Sequence, residues 1–370
     1  MKKEIIPTGH SISIVVLFII GTSLFMGLPG KSGNSSWIAL LLAISLTVPL
    51  LFMYARFHVL FPGKNLFDIL IIVFGSIFGR VVSCLYIWYA LHMGALVLRN
   101  FGEFSKTVAL TETPMIAPML CVGLLCIWVV KAGIEVIGRC AKLFLLLLLA
   151  EILFIEILAI PKLKYHYLKP FLDSGWSPIF ADTIGSFTFP FAEIVLFMGV
   201  FSHLPAKDSA KKILLSGLLI SGVVILLVSL RNLLILNPDI VQSLYFPSYV
   251  AVSRINIGDF LTRMEASSAL GFVITIFIKA SLCLYVASVG VAKLFKLKSY
   301  RSVVLQLGLI MVYFSQFIFK DIMEMQHFAY TIYPIYALPF QVIIPLILWI
   351  CAEIVVSRGK NKQIAPQSQQ

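Results

Sequence analysis

The chain has 370 residues, 60% of them hydrophobic and 12% charged, with a mean hydropathy of +0.99. A water-soluble core of this size does not need so much apolar surface, and long apolar runs recur from end to end, as in a polytopic helical membrane protein. The formal net charge of +12 lies in the short connections between those runs, so it reads as topology-setting charge and not as a nucleic-acid surface.

Windows of about 20 apolar residues predict ten spans, near 10–30, 36–60, 80–101, 114–131, 141–160, 178–203, 212–236, 264–292, 302–319 and 332–356. No ten-residue alternation of a membrane β-barrel is present. The opening "MKKEIIPTGHSISIV" resembles the start of a signal peptide. No small-residue cleavage site precedes a soluble domain, however, and a retained first span is expected. Segment 66–78, "LFDILIIVFGSIF", is short and is expected to lie at the interface or to extend the third span. Two connections, 161–177 and 237–263, are long and rich in aromatics and prolines; the second has room for a short helix over an outer vestibule. The tail 357–370, "SRGKNKQIAPQSQQ", is polar and expected to be disordered and cytoplasmic. Residues 1–363 read as one transmembrane domain, with repeats at about 10–160 and 178–356.

With the N-terminus inside, eighteen of the Lys and Arg residues fall on the cytoplasmic side and nine on the other, counting span ends with their connections. The positive-inside rule then places both termini in the cytoplasm, which requires an even number of spans. Arg231 and Lys279 lie within spans. The six cysteines and six histidines are dispersed without CxxC or zinc-ligand spacing, so structural thiols and no metal site are expected.

Two spans carry interruptions. In the sixth, "TFPFAEIVLF" (188–197), Pro190 removes a backbone donor and clashes with the preceding turn. In the first, "IGTSLFMGLPG" (20–30) combines permissive Gly21 and Gly27 with the hydroxyls of Thr22 and Ser23. Irregular backbone at membrane depth is tolerated only where it lines a protein cavity. Breaks five spans apart point to an all-α, five-plus-five inverted repeat with a midplane site. The expected ligand contacts are Gly21, Thr22, Ser23, Phe189, Pro190, Phe191 and Thr275.

Intramembrane charges are functional candidates by default. Glu193 is expected to cap the second half of span six; contact with a ligand amine and proton binding are the alternatives. Lys279 shares a face with Thr275 and is expected to fix the unwound backbone of span one, with Glu151 or Glu156 as its partner. Arg231 is expected to snorkel. Arg99 with Glu103, and Arg263 with Glu265, are expected to form helix-end pairs or part of an outer gate. Tyr86 and Tyr89 either line the pocket or pack.

The first-span run resembles that of the amino acid–polyamine–organocation transporter superfamily. The chain more closely resembles the B subunits of bacterial spore germinant receptors, through "FPGKNLFDI" after span two, Thr111–Glu112–Thr113–Pro114 before span four, "FPFAEIVLF" in span six and "FPSYVAVSRINIGDFLTRMEA" before span eight. That resemblance implies a LeuT-like fold, a nutrient ligand, residence in the spore inner membrane, and a complex with an A subunit proposed to conduct ions and a lipoprotein C subunit. Ser23 stands where superfamily transporters often have glycine, and no residue set for sodium is evident. No nucleophile elbow, phosphate loop or cofactor motif is found, so no enzyme and no cofactor are expected. A nutrient-sensing receptor subunit is the first reading. An autonomous amino acid transporter is the second, and a scaffold with a vestigial pocket the third.

Overall fold

The computed structural model describes residues 4–27, 30–170, 172, 175–205, 209–255 and 265–364. Among them, eight helices are long and apolar enough to cross a membrane: Thr8–Met26, Gly33–Leu60, Phe78–Val108, Ile134–Lys162, Trp176–His203, Ser209–Leu236, Glu265–Leu294 and Ile322–Ser357. Two shorter apolar helices, Ile116–Ala132 and Val304–Phe317, complete the set. In chain order these are spans one to ten. Helical winding satisfies the backbone polar groups of these spans internally, as lipid demands, except at the interruptions in spans one and six.

The packing has an internal exchange symmetry. Span one packs on span seven, and its counterpart, span six, packs on span two. Span four packs on span eight, and span nine on span three; spans three and eight, two and seven, and four and nine each pack on their own counterparts. Spans one and six are the most enclosed, with 83% and 89% of their apolar windows buried, against 28% for spans five and ten. The two interrupted helices therefore run through the middle of the molecule.

Local chemistry explains the shorter elements. Asn65 opens a separate helix, Leu66–Phe74, by a capping box: its side chain accepts from Asp68 N while the Asp68 carboxylate accepts from Asn65 N. Gly75, at φ +80°, then turns the chain into span three, and Gly79 lets that span press on the Leu70 carbonyl. Segment 66–78 is thus a half-length helix against the start of span three. After span seven, Pro238–Ser243 and Pro247–Ser253 form two short helices, each with proline in its first turn. Residues 256–264, with Arg263, lie outside the described residues. Span five begins at Ile134, seven residues before its expected start, because Gly133 at φ +119° ends span four. The last helix continues to Ile364, through half of the tail expected to be disordered; no proline stands there before Pro366.

A Cβ added at Gly290 of span eight would lie 2.5 Å from Phe67 Cζ and 2.6 Å from Ile87 Cγ1. Gly290→Leu is therefore expected to destabilise the protein by about 1–3 kcal/mol, read as a lower thermal-unfolding midpoint in detergent. Gly9→Ala, which meets nothing within 4 Å, is expected to leave the midpoint unchanged or slightly raised.

Candidate functional site

Span one stops at Ile20 and resumes for one turn at Ser23–Met26. Between them Gly21 adopts φ +34°, and a Cβ there would lie 2.5 Å from Lys279 Cδ. Only glycine satisfies both demands. The Ser23 hydroxyl donates to Ile20 O at 2.7 Å, so it serves a carbonyl that the break frees. Span six breaks at Phe189, whose φ of −134° and ψ of 112° are extended, just before Pro190. The freed Thr188 carbonyl accepts from Gln341 Nε2 of span ten at 2.9 Å.

Beside these breaks lies a buried ion pair. Lys279 Nζ is 2.5 Å from Glu193 Oε2, with both side chains almost wholly buried. Tyr333 of span ten donates to Glu193 Oε1 at 2.5 Å. The Tyr333 and Tyr89 hydroxyls are 3.3 Å apart, and Gln341 Nε2 also donates to Tyr89 Oη at 2.9 Å. One network thus ties spans three, six, eight and ten together and ends on the span-six break. The ammonium also lies 5.3 Å from the Phe18 ring centroid and 5.2 Å from that of Phe189, within cation–π range.

The pair faces a cavity of about 40 Å³ that is also lined by Thr22, Met93, Phe189, Phe328 and Tyr333. Thr22 Oγ1 is buried there without a hydrogen-bond partner among the described residues. Above it opens a vestibule of about 520 Å³ whose lining includes Lys31, Asp182, Gln242 and Tyr330. Met26 lines both spaces, and Tyr330 donates to its carbonyl at 3.3 Å. Asp182 Oδ2 accepts from Ser32 N at 2.7 Å and from Ser32 Oγ at 2.6 Å, joining span six to the connection after span one. Ser248 donates to Leu24 O, and Gln242 donates to Gly30 O. These bonds lay the segment after span seven across the vestibule.

The opposite end is closed by the N-terminal residues. Glu4 Oε1 is 2.8 Å from Arg301 Nη2, and Glu4 Oε2 accepts from Ile134 N at 3.3 Å. Ile6 N donates to His203 O, and Ile5 N to Glu135 Oε1, each at 2.9 Å. His203 Nδ1 lies 2.9 Å from Glu4 O, and its Nε2 lies 2.9 Å from Tyr285 Oη.

Of the expected ligand contacts, Thr22 and Phe189 line the cavity with Glu193 and Lys279. Gly21 lies behind it against Lys279, and Ser23 is bonded within span one. Pro190 and Phe191 are buried in the break, and Thr275 Oγ1 donates to Phe272 O at 2.9 Å. Several charges behave otherwise than expected. Glu193 makes no cap, because both of its oxygens are taken by Lys279 and Tyr333. Lys279 packs on Gly21, but its bond is to Glu193 and not to Glu151 or Glu156. Glu151 lies against Gly271, about two turns before Lys279 on span eight. Glu156 pairs at 3.0 Å with Arg231, which is buried and does not snorkel. Arg99 and Glu103 pair at 2.8 Å, and Arg99 also donates to Gln316 O, so this pair joins span three to span nine. Glu265 opens span eight; its expected partner Arg263 is outside the described residues. Tyr86 is buried and donates to Phe340 O at 2.8 Å.

Sequence reasoning missed Tyr333, Gln341 and Asp182. Pro334 and Pro339 were the available signal for span ten, whose wider-wound turns Phe328–Ile332 and Pro339–Ile343 aim Tyr333 and Gln341 inward.

Two interrupted central helices, exchange-symmetric packing and a buried ion pair between them define an integral membrane protein with a transporter-like fold. The structure of Mhp1, a nucleobase-cation-symport-1 family transporter in a closed conformation with bromovinylhydantoin bound, overlays with a TM-score of 0.67 at 10% identity, covering 96% of this chain and 91% of that one. A substrate-bound, outward-open Na⁺-coupled sialic acid symporter overlays with a TM-score of 0.66 at 13% identity, covering 91% and 77%. These likenesses establish the LeuT-like fold. The chain belongs to the spore germination protein family, whose model matches residues 5–324. Spore germination protein KB of Bacillus subtilis (strain 168) is 30% identical over 356 residues, 95% of either chain.

Removing one member of a buried pair leaves an uncompensated charge, at a cost of about 3–5 kcal/mol. Lys279→Met and Glu193→Gln are each expected to lower the unfolding midpoint in detergent sharply, and the double variant to recover most of the loss. Additive losses in the double variant would contradict the pairing.

Proposed function

We propose that this protein is the nutrient-sensing subunit of a spore germinant receptor. It binds a small nutrient, an amino acid or a sugar, between the broken spans and passes the resulting shift to A and C partner subunits. It resides in the spore inner membrane with both termini in the cytoplasm, as the charge bias favours.

The observation that carries this reading is the set of polar groups at the junction of the two breaks. The Lys279 ammonium keeps two N–H donors beyond the one given to Glu193, and the Thr22 hydroxyl has no partner among the described residues. The remaining lining is largely apolar, including Met93, Leu96, Val97 and Phe328. A polar head held by those groups and a body held by the apolar walls fits the usual make-up of a small-molecule site. The present cavity, at about 40 Å³, is far smaller than the roughly 300–1,000 Å³ of small-molecule pockets. A nutrient therefore selects an arrangement in which the half-helices stand further apart, and that differential affinity is what a receptor needs to signal.

The transporter fold favours a second reading, an autonomous permease. Spores lacking this gene separate the two. Loss of core-solute release on exposure to particular nutrients, with labelled uptake by growing cells intact, is the expected result. Normal germination with lost uptake would make the protein a permease. Thr22→Val is expected to raise the nutrient concentration for half-maximal release about tenfold, the worth of about one hydrogen bond, at unchanged protein level. An unchanged response would remove Thr22 from the site.

A further inference from the structure

Spans one and five cross at the end of the molecule that carries the N-terminus. At Gly138 a Cβ would lie 3.2 Å from both His10 Cβ and Ile6 Cγ2. Next to this crossing is a groove of about 480 Å³, open at the lipid-facing surface, lined by His10 and by Arg139, Lys142, Leu143, Leu146 and Leu149 of span five. Arg139, Lys142, Leu146 and Leu149 follow three- and four-residue spacing, so two cations and then leucines succeed one another on a single helix face.

The charges are the informative part. Arg56, Arg99, Arg231, Lys279, Lys293 and Arg301 each pair with a carboxylate. Arg139 and Lys142 are exposed and have no carboxylate partner among the described residues. Glu135, one turn before Arg139, accepts from Ile5 N instead. Lys142 stands eight residues into a helix that begins at Ile134, about 12 Å along its axis. The cations therefore occupy the headgroup and interfacial layer, and the leucines run on toward the hydrocarbon. A basic pocket between helices that leads into an apolar channel has the shape and charge of an anionic lipid.

We propose that this groove binds an anionic glycerophospholipid, with its phosphate against Arg139 and Lys142 and an acyl chain along Leu143, Leu146 and Leu149. The site is separate from the nutrient cavity and does not depend on the receptor reading. It touches the inner closure, because Ile134 and Glu135, in the first turn of the same helix, hold Glu4 and Ile5.

The test is native mass spectrometry of the detergent-purified full chain, titrated with phosphatidylglycerol or with phosphatidylcholine of identical acyl chains. Preferential retention of phosphatidylglycerol is expected. At about a fivefold effect per interfacial cation, Arg139→Gln/Lys142→Gln should lower that preference about thirtyfold. Lys296→Gln/Lys298→Gln, which removes two exposed cations from the connection between spans eight and nine, should leave it unchanged. Equal losses in the two double variants, or no headgroup preference in the parent, would overturn the proposal. For the unaltered chain, a photoactivatable phosphatidylglycerol is expected to label peptides within 139–149, and labelling elsewhere alone would overturn it. Cross-linking of Leu146→Cys to a co-expressed subunit in place of the lipid would assign the groove to a protein partner and equally overturn it.

Discussion

A charge held in the middle of a membrane must be neutralised where it stands, and here one ion pair does this and organises what surrounds it. Lys279 lies midway along span eight, too deep for its side chain to reach water easily. Glu193 lies just past a helix break in span six. Apart, each would carry a desolvation cost of several kcal/mol; together they cancel within a shell of Tyr333, Phe18 and Phe189. The approach depends on Gly21, because any side chain there would meet the lysine stem. The glycine that allows span one to break is also the one that admits the charge from span eight.

The broken backbone follows the same rule. In lipid, each freed carbonyl requires a donor from the protein. Ser23 serves Ile20 from within span one, whereas Gln341 reaches Thr188 from span ten. At span one the carbonyl of Ile20 is thus served locally and the Thr22 hydroxyl has no partner among the described residues, while at span six the Thr188 carbonyl is tied to a distant helix. Through Tyr89 and Tyr333 the same glutamine is connected to the ion pair, so the charge and the break at span six are held by one polar network.

Much of the architecture could be read from residues whose effect is local. Apolar runs defined the spans, Pro190 and Gly21 marked the breaks, and the charges Glu193 and Lys279 stood out because they interrupt apolar helices. Pairing was not legible in the same way. Glu151 and Glu156 were equally good partners for Lys279 on paper, since helix phase gives the face of a side chain but not its depth relative to another helix. Arg231 looked peripheral because it lies near a span end, yet packing encloses it with Glu156 and Asn232. Span ten concealed the most. Its widened turns shift the phase of everything beyond them, so a regular-helix reading does not bring Tyr333 and Gln341 to the site.

The two ends of span one are held with unequal strength. At the N-terminal end Glu4, Ile5 and Ile6 make an ion pair and several hydrogen bonds to three separate elements. The ion pair is partly exposed, 35% for Arg301 and 22% for Glu4, so screening reduces its share, but the backbone bonds beside it remain. At the other end, Ser248 and Gln242 fasten the half-helix and the residues after it to the segment following span seven. Among the described residues, the bond that joins Met26 to span ten comes from Tyr330, a neutral hydrogen bond of about 0.5–1.5 kcal/mol net. Moving the wound start of span ten away from Met26 therefore costs less than releasing the N-terminal closure.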